Sequence, residues 1–252
     1  MAVLRLTGAT DKGLVREVNE DRFAGEVFSP DFAYGVVCDG LGGENAGGVA
    51  SAIACEEIRR MLESSYREGL DQRSVYMILE SAVTTANAMV YDKAAQDPET
   101  MAGMGTTVCL AVVTGRQAYL ASVGDSRGYL LRGEELRQLT VDHTRAQMLL
   151  ERGRITAEQA QTHPDRHSLT RAVGVEPTVD IAYSTAGLEP GDILLLCSDG
   201  LYNMLDPATL RACVRQAAAQ DDGRCLMDAA NARGGKDNIT AVIIHYEENE
   251  NG

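Results

Sequence analysis

The order of apolar runs along the chain predicts an α+β sandwich, and three observations carry that prediction. Four β-type runs (Thr106 to Val113, Gln117 to Val123, Arg127 to Leu131 and Glu135 to Leu139) are joined by links of only three residues each. Links so short permit antiparallel pairing alone, because a parallel crossover needs roughly a dozen residues, and the four runs read as a meander. Helical stretches enter as pairs and do not alternate with strands. The glycine-rich turn Gly40-Leu41-Gly42-Gly43 follows an acidic residue and lacks the spacing of a dinucleotide-binding loop, which argues against a doubly wound parallel sheet.

Before the meander, Val3 to Ala9 and Phe32 to Cys38 read as strands, and the second leads into the turn Asp39 to Asn45. Ala50, Ala54, Ile58 and Met61 then recur at helical spacing, a small-residue face suited to close packing on a sheet. Val75, Ile78, Leu79, Ala82, Val83, Ala86, Met89 and Val90 mark a second helix with a continuous apolar stripe. Residues 145–170 interrupt the β pattern with Gly153, Pro164 and the helix-start signal Thr156-Ala157-Glu158-Gln159, and read as a small helical insertion over one edge. Asp192 to Ser198 is a strand, residues 206–232 are helical, and Asn238 to Tyr246 closes the fold. Residues 1–246 are therefore expected to form one domain, with 247–252 a frayed acidic tail.

Composition limits the function. Of 252 residues 44% are hydrophobic and 24% charged, an ordinary globular balance. The formal net charge is −14, and Lys12, Lys93 and Lys236 are the only lysines. Such a surface repels nucleic acid, and a phosphorylated substrate would need bound metal to supply positive charge. Met1 to Gly13 lacks the apolar core of a signal peptide, and no run approaches the ~20 apolar residues of a membrane span. A cytoplasmic protein without membrane association is expected. Cys38, Cys55, Cys109, Cys197, Cys213 and Cys225 form no C-x-x-C pair and read as reduced thiols.

Asp39, Asp199 and Asp237 share one context, the junction of an apolar strand with a loop. An aspartate before glycine there is also an ordinary turn. Were the strand ends to converge, three carboxylates would repel one another, and hard divalent cations such as Mg²⁺ or Mn²⁺ would compensate them better than zinc.

Eight segments together resemble the metal-dependent protein phosphatase family, protein phosphatase 2C, and in particular its compact bacterial members. In order they are Gly13-Leu14-Val15-Arg16-Glu17-Val18-Asn19-Glu20-Asp21, Asp39-Gly40-Leu41-Gly42-Gly43, Gly105-Thr106-Thr107, Gly124-Asp125-Ser126-Arg127, Asp142-His143-Thr144, Thr170-Arg171-Ala172-Val173-Gly174, Ser198-Asp199-Gly200-Leu201 and Asp237-Asn238-Ile239-Thr240. The resemblance implies a four-layer α-β-β-α sandwich, two central antiparallel sheets flanked by helix pairs. It also implies hydrolysis of phosphoserine and phosphothreonine in proteins by a metal-bridging hydroxide, without a covalent intermediate.

By the same resemblance Asp39 bridges two Mn²⁺ or Mg²⁺ ions, the Gly40 carbonyl binds one of them, and Asp199 and Asp237 bind the other. Asp125 joins Asp199 at a third, weaker site. Glu20 and Asp21 hold metal-bound waters, which Asn238 orients. Arg16 grips the phosphate, a task suited to a guanidinium's fixed charge and paired donors; read without the motif, it is more readily a surface partner of Glu17 or Glu20. Phosphoproteins and a cognate serine/threonine kinase are the implied partners, and with no long heptad pattern a monomer is expected.

One departure stands out. Many eukaryotic relatives place a histidine, a proposed proton donor, immediately after the Asp-Gly of the second motif, where this chain has Leu41. His143, His163 and His167, in or near the inserted flap at about 145–170, are substitute candidates. Two other functions compete with the leading one: a catalytically inactive phosphoprotein-binding regulator, and a metal-dependent hydrolase of small phosphoesters.

Overall fold

Three strands open the computed structural model, which describes residues 2–43, 46–67 and 69–248. They are β1 (Ala2–Asp11), β2 (Arg22–Ser29) and β3 (Phe32–Cys38), followed by the two-residue strand β4 (Gly40–Leu41). Helices α1 (Ala46–Ser65) and α2 (Gln72–Gln96) come next, then β5 (Gly105–Thr106), β6 (Val108–Thr114), β7 (Gln117–Val123), β8 (Arg127–Arg132) and β9 (Glu135–Gln138). Two short helices, α3 (Arg145–Glu151) and α4 (Ala157–Gln161), precede β10 (Ala182–Gly187) and β11 (Asp192–Cys197). The chain finishes with α5 (Asp199–Tyr202), α6 (Pro207–Gln220), α7 (Arg224–Asn231) and β12 (Ile239–Glu248).

The strands form two five-stranded antiparallel sheets, ordered β1-β12-β11-β8-β9 and β10-β7-β6-β3-β2. Alternation along each strand assigns side chains to layers. Leu194 and Leu196 of β11 and Val242 and Ile244 of β12 meet Ala33, Val37, Ala111 and Leu120 of the other sheet. Their neighbours Leu195 and Ile243 point the other way, onto Leu210 and Val214 of α6 and Leu226 of α7. Tyr34, Val36, Leu110 and Val112 likewise pack on Ile58 of α1 and on Leu79 and Val83 of α2. The result is the expected four layers. Each fully buried leucine contributes about 2 kcal/mol. At the centre Gly35 lets the sheets approach, since a Cβ there would lie 2.8 Å from Val242 Cγ1.

Helix α2 begins where Asp71 accepts a hydrogen bond from the Ser74 N–H at 2.8 Å. Its buried stripe runs from Val75 to Val90, with Met89 outside it and exposed. Helix α4 opens with the predicted capping box between Thr156 and Gln159.

The meander is corrected. β6 pairs with β7 in one sheet and β8 with β9 in the other, so the link Gly124-Asp125-Ser126 crosses between sheets. A short link excludes parallel pairing but does not require its two strands to pair, and Gly124, at φ +98°, makes the bend. The helical run 206–232 is also broken: Asp221, left-handed at φ 52°, caps α6 through its N–H to the Ala217 carbonyl, and α7 starts anew. Strands β2 and β10 have no counterpart in the sequence reading. Both lie at the edge of their sheet, mostly half-buried or exposed, and carry few large apolar residues. Of the expected acidic tail, Glu247 and Glu248 continue β12 opposite Val3 and Ala2, while 249–252 lie outside the described residues, as do Glu44 and Asn45 of the glycine-rich turn.

A methyl at Gly124 would lie 2.6 Å from Thr107 Cγ2, in a backbone conformation that alanine resists. Gly124→Ala is therefore expected to cost about 2 kcal/mol in urea unfolding; an unchanged midpoint would show that the sheet-to-sheet link is not under this constraint.

Candidate active site

The two sheets end at a common cavity of about 300 Å³. Asp39 arrives at the end of β3 from one sheet. Asp199, just past β11, and Asp237, just before β12, arrive from the other. Because β11 and β12 are antiparallel neighbours, the end of one lies beside the start of the other, with Cys197 opposite Ala241. The inter-sheet link adds Asp125, and the loop after β1 adds Arg16 and Glu20. Gly40 and Asn238 also lie on its wall, as does Leu41.

Hydrogen bonds fix the main chain beneath these carboxylates. The Asp39 N–H donates to Thr107 Oγ1 at 3.0 Å, and its carbonyl accepts from the Thr107 N–H at 2.8 Å and from Thr106 Oγ1 at 2.9 Å. Thr107 Oγ1 lies 2.7 Å from Ser126 Oγ, which ties Asp39 to the link carrying Asp125. Asn238 Nδ2 donates to the carbonyls of Lys12 and Val18, both at 2.9 Å, and its Oδ1 accepts from the Glu20 N–H at 2.8 Å. One amide thus shapes the loop that presents Arg16. Gly40 passes so close to α1 that a Cβ would sit 2.2 Å from the Gly47 carbonyl oxygen, so only glycine fits there.

Asp21 lies deeper, 1% exposed, and accepts from Ser198 Oγ at 2.7 Å, while that Oγ itself accepts from the Thr240 N–H at 3.0 Å. Its Oδ1 is buried with no hydrogen-bond partner among the described residues. Burial pushes Asp21 up to about 6, Asp125 to about 7 and Asp199 to about 8, and carries Asp39 well above the carboxylate range with help from its four aspartate neighbours. A buried unpartnered carboxylate oxygen, and carboxylates whose ionisation is opposed by burial and by one another, form an oxygen donor set that fits hard divalent cations.

Arg16 pairs with neither Glu17 nor Glu20. Its Nη2 donates to Asp237 Oδ2 at 2.7 Å on the half-exposed rim of the cavity. That bond, with Asp39 and Asp199 nearby, raises its pKa further.

Of the three candidate histidines only His167 lines the cavity. Its Nδ1 is 3.6 Å from Asp199 Oδ2, and one ligand atom each from Asp125, His167 and Asp199 lie within 4.8 Å of one another. Burial first, then Arg166, lowers its pKa. His143 is instead a buried tether: its Nδ1 accepts from the Gly124 N–H at 3.1 Å, and burial and Arg171 push it down to about 4. His163 accepts from the Asp165 N–H at 3.1 Å, within its own turn. Sequence reasoning assigned no role to Thr107 and Ser198, although both sit inside quoted motifs. It also missed the support beneath Asp125, where Tyr202 Oη donates to the Asp125 carbonyl at 3.0 Å and Arg127, bidentate to Asp142, lies 3.7 Å over the Tyr202 ring.

A two-sheet sandwich whose sheet ends pool carboxylates around an arginine has the build of a metal-dependent phosphate-ester hydrolase. The sequence model of protein phosphatase 2C matches residues 14–233. A serine/threonine phosphatase, stp, of Listeria monocytogenes is 35% identical over 251 residues, covering 96% of each chain. The crystal structure of the serine/threonine phosphatase Stp1 from Staphylococcus aureus superposes with a TM-score of 0.88 at 31% identity, covering 97% of this chain and 96% of that one. The catalytic domain of the phosphatase PstP, in complex with two manganese ions, gives a TM-score of 0.82 at 32% identity, covering 98% of this chain and all of that one. The chain belongs to the protein phosphatase 2C family.

A carboxyl whose folded pKa exceeds its unfolded value, about 4, contributes stability that is present at low pH and lost as pH rises through the folded value. For Asp125 and Asp199 that window extends to about 7 and about 8. In chelator, the melting temperature is thus expected to fall between about pH 6 and about pH 8, and added Mn²⁺ to raise it more at the higher pH, where protons no longer compete. Calorimetry at the two pH values checks this; equal Mn²⁺ shifts would contradict it.

Proposed function

We propose that this chain hydrolyses phosphoserine and phosphothreonine in proteins with the aid of Mn²⁺ or Mg²⁺. The observation that carries the reading is the shared cavity on which Arg16 and the aspartates 39, 125, 199 and 237 all open. The manganese held by the PstP relative supports the choice of ion. Asp39 would serve as a ligand to both cations, with the Gly40 carbonyl helping to hold one and Asp199 and Asp237 the other. Glu20 and Asp21 would hold coordinated waters, in a loop that Asn238 keeps in place. Asp125 and Asp199 would take a third ion, with His167 as the flap's contribution. A lowered pKa leaves that imidazole neutral, the form that ligates, and a nitrogen ligand favours Mn²⁺ over Mg²⁺ there. When bound, the cations supply the positive charge that so acidic a cavity lacks and acidify water for in-line attack on phosphorus.

The chain's own residues do the rest. Arg16, now on Asp237, is placed to turn its free donors to the phosphoryl oxygens once the charge on Asp237 is taken up. Thr106 and Thr107 hold Asp39 from behind, so it need not rearrange as charge moves. Cys38, Cys109 and Cys197 are buried with raised thiol pKa values, Cys197 up to about 12, and none lines the cavity, which leaves them unsuited to act as nucleophiles. The six free cysteines support a reducing, cytoplasmic setting. Residues 1–246 are read as a single phosphatase domain with its flap at about 145–170. A serine/threonine kinase that phosphorylates the same targets is the partner the family relationship suggests.

Release of phosphate from p-nitrophenyl phosphate and from a phosphothreonine peptide, with Mn²⁺ and with chelator, tests the reading. Both activities are expected to require Mn²⁺ and to drop at least about 100-fold in Asp39→Asn; activity that survives either treatment would refute it. An inactive regulator would release phosphate from neither, and a small-ester hydrolase would spare the peptide. Arg16→Ala is expected to raise KM about tenfold with a smaller loss of kcat. Equal falls in kcat and kcat/KM would place its grip in the transition state.

A further inference from the structure

Beside the catalytic cavity, and sharing Leu41, His167 and Leu169 with it, opens a second hollow of about 610 Å³. Its other wall is the loop from Ala172 to Asp180. That loop is held rigidly from below. Buried Asn87 of α2 donates to the carbonyls of Glu176 at 3.0 Å and Pro177 at 3.3 Å, and accepts from the Gly174 N–H at 2.8 Å. Val173 exchanges both main-chain hydrogen bonds with Thr106, at 3.0 and 2.9 Å.

On this fixed loop Val175 is 41% exposed. A Cβ on Gly105 would lie 2.8 Å from Val175 Cγ2 and 3.3 Å from Leu41 Cδ1, so the two aliphatic side chains meet over that glycine. Leu41 lines both the catalytic cavity and the hollow, and Val175 and Val179 line the hollow with it. Three exposed charged residues line the same hollow, Glu176 and Asp180 against the one guanidinium of Arg171, whose Nη1 lies 3.4 Å from His143 Nε2, so the wall carries a net negative charge.

We propose that this hollow is the subsite for the substrate segment adjoining the phosphorylated residue, and that it selects an aliphatic side chain and rejects an acidic one. The inference rests on the phosphoprotein reading above. A phosphoresidue seated beside Asp39 leaves its chain neighbours one or two residues away, about 3.5 Å each when extended, and the shared wall leads them to Leu41 and Val175. Burial of an aliphatic group there removes apolar surface from water. A carboxylate would lose hydration and face two carboxylates, Glu176 and Asp180, against the single guanidinium of Arg171.

The test uses the whole Mn²⁺-loaded enzyme and phosphothreonine peptides that differ only in carrying leucine or aspartate at each position flanking the phosphoresidue. At one or two of these positions the leucine peptide is expected to have a kcat/KM at least about tenfold higher. In Val175→Lys the ratio at those positions is expected to shrink about tenfold, because the new cation welcomes aspartate. The readout compares two peptides on one enzyme, so a general loss of activity does not move it. Peptides cleaved without discrimination, or a ratio unchanged in Val175→Lys, would overturn the subsite while leaving the phosphoprotein reading intact. Turnover of p-nitrophenyl phosphate with no peptide cleaved would overturn the phosphoprotein reading, and the subsite with it.

Discussion

Mutual repulsion among crowded aspartates, Asp21 and Asp125 buried and Asp39, Asp199 and Asp237 partly so, is the constraint on which the rest of the structure depends. Asp21, Asp125, Asp199 and Asp237 all oppose the ionisation of Asp39, and burial opposes it more than any of them. Left to relax, such groups would move apart or out to water. They are held because the hydrogen bonds fall on the main chain and on second-line hydroxyls and amides. Thr106 and Thr107 grip Asp39 on both sides of its peptide, Ser198 satisfies one oxygen of Asp21, and Asn238 ties three points of the loop bearing Arg16 and Glu20. The polar core of the site is a frame built for anions to share, and its stability is linked to whatever cation they share.

The frame also explains the first glycine of the second motif. Gly40 and Gly47 lie against each other with no room for a Cβ on either, which brings the first turn of α1 to the cavity wall. There the Gly48 N–H donates to Glu20 Oε1 at 3.0 Å, and Ser51 Oγ donates to the Glu20 carbonyl. The start of α1 therefore serves as a buttress for an acidic loop, a placement its positive end favours.

Much of this was legible in the sequence, for identifiable reasons. Asp39, Asp199 and Asp237 could be found because β3 and β11 are buried throughout and β12 is buried over its first six residues, where an apolar run makes the junction conspicuous. Helix α2 could be found because its stripe packs on a whole sheet face. Strands β2 and β10 could not, because an edge strand with one wet face needs few large apolar residues. The crossing at Asp125 was hidden for a different reason: a three-residue link looks the same whether it turns a hairpin or changes sheets, and the choice is made by Cys197 and Arg127 pairing far apart in sequence. His167 and His143 were indistinguishable as letters; the fold turned one toward the carboxylates and locked the other onto Gly124.

The pairing of β1 with β12 runs the whole length of both strands, from Ala2 opposite Glu248 to Asp11 opposite Ile239. The strand that brings Asp237 is thus the last of those described to leave the ribosome, and it seats against the first. Without that seam, Asp39 and Asp125 have no Asp237 beside them, and the Arg16 loop has no Asn238 to shape it. The topology thus makes the two ends of the described chain meet beneath the site, so that the carboxylate set is complete only when the most distant strands in sequence are paired.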